Sequence, residues 1–145
     1  MSALRLAWIG DDAVAVATAA RVGALRVAPD DWRTLRRHRI EVVHVRGDLV
    51  VLRQAAIAAT LGGALAVIAT PTMAPGPLPW WERRFHRYCF RGQLEAKAWL
   101  SVLPLGRLVV VEPEPAPHEV EALRALYGEV ASMGRRPGRV RRSAP

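Results

Sequence analysis

The chain has 145 residues, 51% of them hydrophobic, and carries a formal charge of +8. This length predicts one domain, and the apolar content is high enough for a packed core, which argues against a disordered chain. The single cysteine, Cys89, excludes an internal disulfide and a cysteine-rich zinc site. No apolar run reaches the roughly 18 residues of a membrane span, and we see no signal peptide, so we expect a cytoplasmic protein.

The positive charge is concentrated at the carboxyl end. Residues 134–145 hold five arginines and no acidic residue, so the preceding body is only mildly basic. We interpret residues 1–133 as one Rossmann-like α/β domain and residues 134–145 as an Arg-rich, disordered tail. Such a tail adds non-specific affinity for polyanions, including nucleic acid. Its arginines are Arg135, Arg136, Arg139, Arg141 and Arg142.

Strand and helix patterns alternate along the first half of the chain. Gly10 ends the first strand, and the carboxylates of Asp11 and Asp12 suit the amino-terminal end of the helix that follows. Gly23 ends that helix. In chain order, the predicted strands are 4–9, 24–28, 40–45, 64–69 and 107–111, and the predicted helices are 13–22, 32–39, 49–61 and 118–130.

Residues 40–72 form the central unit of this pattern. A β-branched run, a helix rich in Ala and Leu, the pair Gly62-Gly63 and a second apolar run together predict a βαβ unit with a right-handed crossover. Strands that alternate with helices in this way predict a three-layer, Rossmann-like α/β domain with a mostly parallel sheet of about five strands.

A proline-rich loop at 71–79 precedes an aromatic and basic segment, residues 80–100. Its aromatic residues recur at helical spacing, which predicts one kinked helix or two helices. Three interpretations stay open: a core helix with solvated arginines, a helix on an anionic membrane surface, and a nucleic-acid contact. The candidate contact residues are Trp80, Trp81, Arg84, Arg87 and Arg91.

Polar residues follow three of the predicted strands, at the edge where parallel α/β sheets bind ligands. The candidate ligand-binding residues are Gly10, Asp11, His44, Arg46, Asp48, Thr70 and Thr72. A histidine inside a strand is also typical of a hydrogen-bonded core residue, and the acids are also typical of helix caps. One glycine followed by two carboxylates disfavours a phosphate cradle, so we expect no nucleotide cofactor.

The sequence contains no recognisable catalytic set. Its four histidines are scattered without metal-ligand spacing, and no G-x-S-x-G motif is present. A phospho-acceptor receiver domain is disfavoured because the last predicted strand ends in Val111-Glu112 without a lysine. We therefore expect no catalytic residue and no metal site.

Three segments resemble the amino-terminal, acceptor-side half of retaining glycosyltransferases of the GT-B fold. They are E-V-V-H-V-R-G-D-L-V-V-L-R-Q-A-A-I-A-A-T-L-G-G, P-L-P-W-W-E-R-R-F-H-R-Y-C-F-R and P-L-G-R-L-V-V-V-E-P. The resemblance covers residues 4–117 and implies that His44 and the loop around Gly10 contact an acceptor. It does not include the half that binds the nucleotide sugar, so it implies a module that needs a partner chain for catalysis.

The sequence thus leads to two function hypotheses. The first is a glycosyltransferase-like module, inactive alone, that works with a donor-domain chain or as a binding subunit of a complex. The alternative is a non-enzymatic adaptor that binds a protein or a polyanion, such as nucleic acid or an anionic membrane, through its Arg-rich surfaces. The second hypothesis includes a peripheral membrane location.

Overall fold

A computed structural model describes residues 3–135 and confirms the three-layer α/β fold. The described residues form one sheet of six strands, all parallel, in the order β2-β1-β3-β4-β5-β6. The strands are β1 (Leu6–Ile9), β2 (Leu25–Arg26), β3 (Val42–Gly47), β4 (Ala66–Pro71), β5 (Arg87–Phe90) and β6 (Leu108–Val110). The helices are α1 (Ala13–Val22), α2 (Trp32–Arg37), α3 (Leu49–Gly62), α4 (Gln93–Trp99) and α5 (Ala116–Gly134), with 3₁₀ turns at Trp80–Arg84 and Leu105–Arg107.

Strands β3 and β4 form the centre of the sheet. Val42 pairs with Ala66 at one end and Gly47 with Pro71 at the other, which is the predicted βαβ unit with small shifts at its ends. All of β4 and most of β3 are buried, since a central parallel strand is covered on both faces. Helices α2, α3 and α4 cover one face, and α1 and α5 cover the other.

The strand order reverses direction between β1 and β3. From β1 the chain moves outward to β2, then returns across β1 to β3 and continues to the opposite edge of the sheet. Because successive helices lie on opposite faces at this point, a crevice opens between the carboxyl ends of β1 and β3. The topology therefore positions a ligand-sized opening at the edge that carries the candidate residues.

Helix ends follow the local sequence closely. Asp12 and Asp48 accept hydrogen bonds from the first-turn amides of α1 and α3, from Ala15 at 2.8 Å and Val51 at 3.1 Å. Gly23 ends α1 with a φ of 74°, and α3 ends at Gly63 with a φ of 77°. Residues with a side chain rarely adopt this left-handed backbone conformation, so these glycines determine where the helices stop.

The prediction of helix for residues 80–100 is wrong in the middle of that segment. Only Trp80–Arg84 and Gln93–Trp99 are helical, and Arg87–Phe90 is strand β5. The aromatic spacing fits a helix, but three consecutive residues, Tyr88, Cys89 and Phe90, are all buried, as in a strand covered on both faces. This extra strand makes the sheet one strand larger than expected.

The described structure passes the predicted domain boundary by two residues. Helix α5 extends to Gly134, and the Arg135 guanidinium donates a hydrogen bond to the carboxylate of Glu41. The tail arginines Arg136, Arg139, Arg141 and Arg142, for which we predict disorder, lie outside the described residues.

Helix α2 packs against α3 at a glycine, which provides a test of the fold. A Cβ at Gly62 would lie 2.8 Å from the Leu35 Cβ and 3.1 Å from the Trp32 carbonyl, whereas a Cβ at the helical Gly128 would meet nothing within 4 Å. We expect Gly62→Ala to lower the free energy of unfolding by about 1–3 kcal/mol through overpacking. Gly128→Ala, the matched control, should raise it by up to about 1 kcal/mol. Urea unfolding measures both, and equal stabilisation by the two changes would contradict the close α2–α3 contact.

Candidate functional site

A pocket of about 700 Å³ occupies the crevice at the carboxyl ends of β1, β2 and β3. Five of the seven predicted ligand-binding residues line it. The lining is Gly10, Asp11, Asp12, Arg26, Val27, Ala28, Pro29, Arg46, Gly47, Asp48, Val51 and Thr72. The structure therefore brings together residues from four strand ends and two helix starts.

Two glycines allow the helices to begin close to the strand ends. A Cβ at Gly10, whose φ is 155°, would lie 2.9 Å from the Ala15 Cβ and 3.0 Å from the carbonyl oxygen of Arg46. A Cβ at Gly47 would lie 2.6 Å from Val51 Cγ1. Since neither contact is compatible with a side chain, these positions shape the floor of the pocket.

The pocket has charges of both signs. Arg46 Nε donates to Asp12 Oδ2 at 2.8 Å. Burial raises the pKa of Asp12, but the Ala15 amide and the Arg46 guanidinium outweigh it, so the pKa lies below its ordinary value. Within residues 3–135, neither Asp11 nor Asp48 forms an ion pair, and Arg26 forms none either. Asp48 Oδ1 accepts from the Val51 amide, and Arg26 donates a long hydrogen bond of 3.4 Å to the Gly10 carbonyl. The other carboxylate oxygens and guanidinium donors of these side chains are available to a ligand.

The amino-terminal ends of α1 and α3 both face this pocket. Helix starts attract phosphate because their first amides are unpaired and carry partial positive charge. Here Asp12 and Asp48 already accept hydrogen bonds from those turns and add negative charge. The arrangement opposes a phosphate group.

A smaller pocket of about 280 Å³ adjoins the first one along the same edge. It shares Arg46 and Thr72 with the larger pocket and continues past the ends of β4 and β5 to Phe90 and Trp99. Arg46, held by Asp12, therefore stands at the boundary between a polar compartment and a more aromatic one.

His44 and Thr70 are buried in the core and do not line the larger pocket. His44 lies between two hydroxyl groups: its Nδ1 is 2.8 Å from the phenol oxygen of Tyr127, and its Nε2 is 2.8 Å from Thr70 Oγ1. The indole of Trp8 stacks on the imidazole at 4.0 Å, and its Nε1–H donates to the same phenol oxygen at 3.0 Å.

These contacts form a chain of hydrogen bonds from Trp8 through Tyr127 and His44 to Thr70, which we call the His44 network. If the phenol hydrogen points to Nδ1, then Nε2–H donates to Thr70 and each group finds a partner. Burial, together with the positive charge of Arg46, lowers the pKa of His44 to about 3. The imidazole is therefore neutral at pH 7 and serves to join α5 to the sheet.

Trp8 and Tyr127 belong to this network, and neither of them was identified from the sequence. A usable signal existed for Trp8, because it lies within the first predicted strand, and in the structure it is the register partner of His44 in β3. Tyr127 is 119 residues from Trp8 along the chain. No local pattern predicts that contact.

The predicted surface arginines mostly contact their own chain. Arg84 donates to Thr60 Oγ1 and to the Ala64 carbonyl, each at 2.9 Å, and Arg87 pairs with Glu129 at 3.1 Å. Arg91 pairs with the buried Glu119, which also binds Arg21, each at 3.1 Å.

The two adjacent tryptophans differ in their surroundings. Trp81 is buried against Phe85, whereas Trp80 is 80% exposed. Of the predicted contact residues in this segment, Trp80 is thus the one whose side chain is largely available to a partner.

Comparison with family models, with curated proteins and with solved structures finds no match for this chain. The resemblance to GT-B glycosyltransferases therefore stays a prediction. Among residues 3–135, no helix combines the length and apolar character needed to cross a bilayer. In the same part of the chain, no three His, Cys, Asp or Glu side chains come together as a metal-binding group.

The low pKa of His44 makes stability depend on pH. The unfolded chain binds a proton at the ordinary histidine pKa of 6.5, whereas folded His44 binds one only near pH 3, so its contribution is complete above pH 6.5 and is lost as the pH falls toward 3. Between pH 7 and pH 5 the wild type should lose roughly 2 kcal/mol of unfolding free energy more than His44→Gln. Urea unfolding at the two pH values measures this difference.

The exposed His38 provides the matched control for this experiment. His38→Gln should show the pH dependence of the wild type. The pKa of His86 is also lowered, by burial and by neighbouring arginines, but it affects every variant equally. An unchanged pH dependence in His44→Gln would show that His44 is not held neutral in the core.

Proposed function

We propose that this chain is a Rossmann-like ligand-binding module, the acceptor-side half of a glycosyltransferase-like system that is inactive alone. The position of the pocket carries this proposal: it lies where the strand order reverses, which is the usual ligand site of open α/β sheets.

The pocket chemistry favours a neutral, hydroxyl-rich ligand. Asp11 and Asp48 offer carboxylate oxygens that accept hydrogen bonds from hydroxyl groups, and Arg26 offers donors to hydroxyl or ring oxygens. Charge-assisted hydrogen bonds of this kind are stronger than neutral ones. A sugar acceptor presents both donors and acceptors, whereas a phosphate meets the carboxylates of Asp11 and Asp48, which form no ion pair within residues 3–135.

Binding without catalysis follows from the position of the histidine. His44, the residue that the family resemblance assigns to acceptor contact, has both ring nitrogens occupied in the core. It is not positioned to remove a proton from a ligand in the pocket. Catalysis would require a donor-binding half that closes over the carboxyl edge.

The alternative, an adaptor that binds polyanions, receives less support. Arg84, Arg87, Arg91 and Arg135 are engaged in internal hydrogen bonds. Releasing them for nucleic acid or lipid would break contacts within the fold. Retention on heparin that disappears when residues 136–145 are deleted would instead favour this alternative.

Ligand binding can be measured by titrating methyl glucoside and methyl N-acetylglucosaminide into isotope-labelled protein. We expect shifts of the amide resonances of Gly10, Gly47 and Thr72, with dissociation constants in the millimolar range. Asp11→Ala should weaken binding about tenfold, because it removes one charge-assisted hydrogen bond. Glu121→Ala, an exposed acid on α5, is the matched control and should bind as the wild type does.

Uridine diphosphate provides the opposite test. Because capped helix starts oppose phosphate, the chain alone should give no heat of binding with this nucleotide in a calorimeter. Binding of uridine diphosphate at the Gly10 loop, or the absence of any glycoside-induced shift there, would contradict the proposal.

A further inference from the structure

The outward face of helix α3 is unusually apolar for a helix that flanks a sheet. Such a helix normally presents charged and polar residues to water. In α3, Arg53 is the one charged residue of 14, and Val50, Ile57 and Leu61 are 64%, 45% and 48% exposed. They recur on one side of the helix at spacings of two turns and one turn. A stripe of this kind indicates a surface that another molecule covers.

This stripe borders a groove. Between the second half of α3 and the 3₁₀ turn Trp80–Arg84 lies an apolar opening of about 530 Å³. Its walls include Ile57 and Leu61 on one side and Trp80 and Trp81 on the other. We call this surface the α3 groove; Trp80 projects from its rim with most of its indole in water.

The rim of the α3 groove is positively charged. Arg83 lines the groove, and Arg53 lies one helical turn before Ile57 on α3. Both are exposed and, within residues 3–135, form no ion pair. Arg84 binds a hydroxyl and a carbonyl, so its charge is not neutralised by a carboxylate. The nearby acid, Glu82, pairs with Arg107. An occupant that matches this rim carries negative charge beside its apolar surface.

We propose that the α3 groove binds an amphipathic helix of a partner protein, with an apolar stripe flanked by Asp and Glu. Helices recognised in this way insert apolar side chains from successive turns into a groove. The exposed stripe from Val50 to Leu61 is about 17 Å long at 1.5 Å per residue, so the occupant contacts α3 over about three turns. Trp80 acts as the aromatic anchor, a residue type that dominates binding at such interfaces.

The observations favour this occupant over two others. A second copy of the chain would bring its own Arg53 and Arg83 against those of the first, a like-charge contact that costs free energy. A lipid bilayer presents a flat surface, whereas the apolar side chains here line a concave one. The groove lies on the face of α3, away from the pocket at its first turn, and so this inference does not depend on the proposed ligand.

The groove can be tested by selecting binders to the folded chain from a phage-displayed library of amphipathic helices. These helices are about 20 residues long and have random charges on the polar face. We expect the selected helices to carry Asp or Glu beside the apolar stripe. As synthetic peptides, the selected helices should shift the tryptophan emission of the chain to the blue on binding, and this shift should be lost in the Trp80→Phe variant. Ile57→Asp should weaken binding at least tenfold, because it places a charge in the apolar wall.

Two variants make the result specific. Val16→Asp is the matched control: it introduces the same charge at a similarly exposed valine on α1, on the other face of the sheet, and should leave binding unchanged. Reversing the rim charges with Arg53→Glu and Arg83→Glu should favour lysine-flanked helices over the acidic ones.

Several outcomes would overturn the proposal. They are a library that yields no binders, selected helices without acidic residues, and binding that Ile57→Asp does not affect. Sedimentation that shows a dimer broken by Ile57→Asp would assign the groove to a second copy. Binding to vesicles of phosphatidylglycerol that depends on Ile57 would assign it to a membrane surface.

Discussion

The burial of β3 and β4 on both faces is the constraint from which the rest of the structure follows. Parallel central strands need helices on each side, and the crossover α3 occupies one side while α1 and α5 occupy the other. Because successive helices lie on alternate faces around β1 and β3, a crevice opens at the carboxyl edge. Gly10 and Gly47 then bring the starts of α1 and α3 close to the strand ends, so the same constraint creates both the core and the pocket.

Polar groups within that core have to find partners, and the His44 network shows how they do. A neutral imidazole between the hydroxyls of Tyr127 and Thr70 satisfies three buried polar groups at once. The network also joins α5, the last helix, to the first and third strands. His44, which resembles a strand-end ligand residue in the sequence, therefore contributes to the specificity of the fold, and Asp11, Arg26 and Asp48 line the pocket instead.

Much of the fold could be predicted because its signals are local. The acid-capped start and glycine-ended finish of α1 lie within a few residues of the helix, and the polar residues after three predicted strands indicated the edge of the sheet at which the pocket lies. Whether His44 is a core residue or a ligand contact depends on which side of β3 faces Trp8 and on a tyrosine distant in sequence. Periodicity therefore could not decide it. Strand β5 was missed because aromatic residues spaced as in a helix also fit a strand buried on both faces.

The ion pair between Arg135 and Glu41 holds the last described residue at the end of the sheet opposite the pocket. Glu41 immediately precedes β3, at the amino end of the sheet, and the pocket lies at the carboxyl end of the same strand. Six residues of β3 separate the two ends by about 20 Å, at 3.3 Å per residue. A chain shortened to end at Arg135 and linked to a surface through that residue is therefore held at the amino end of the sheet, with the pocket at the opposite end facing the solution.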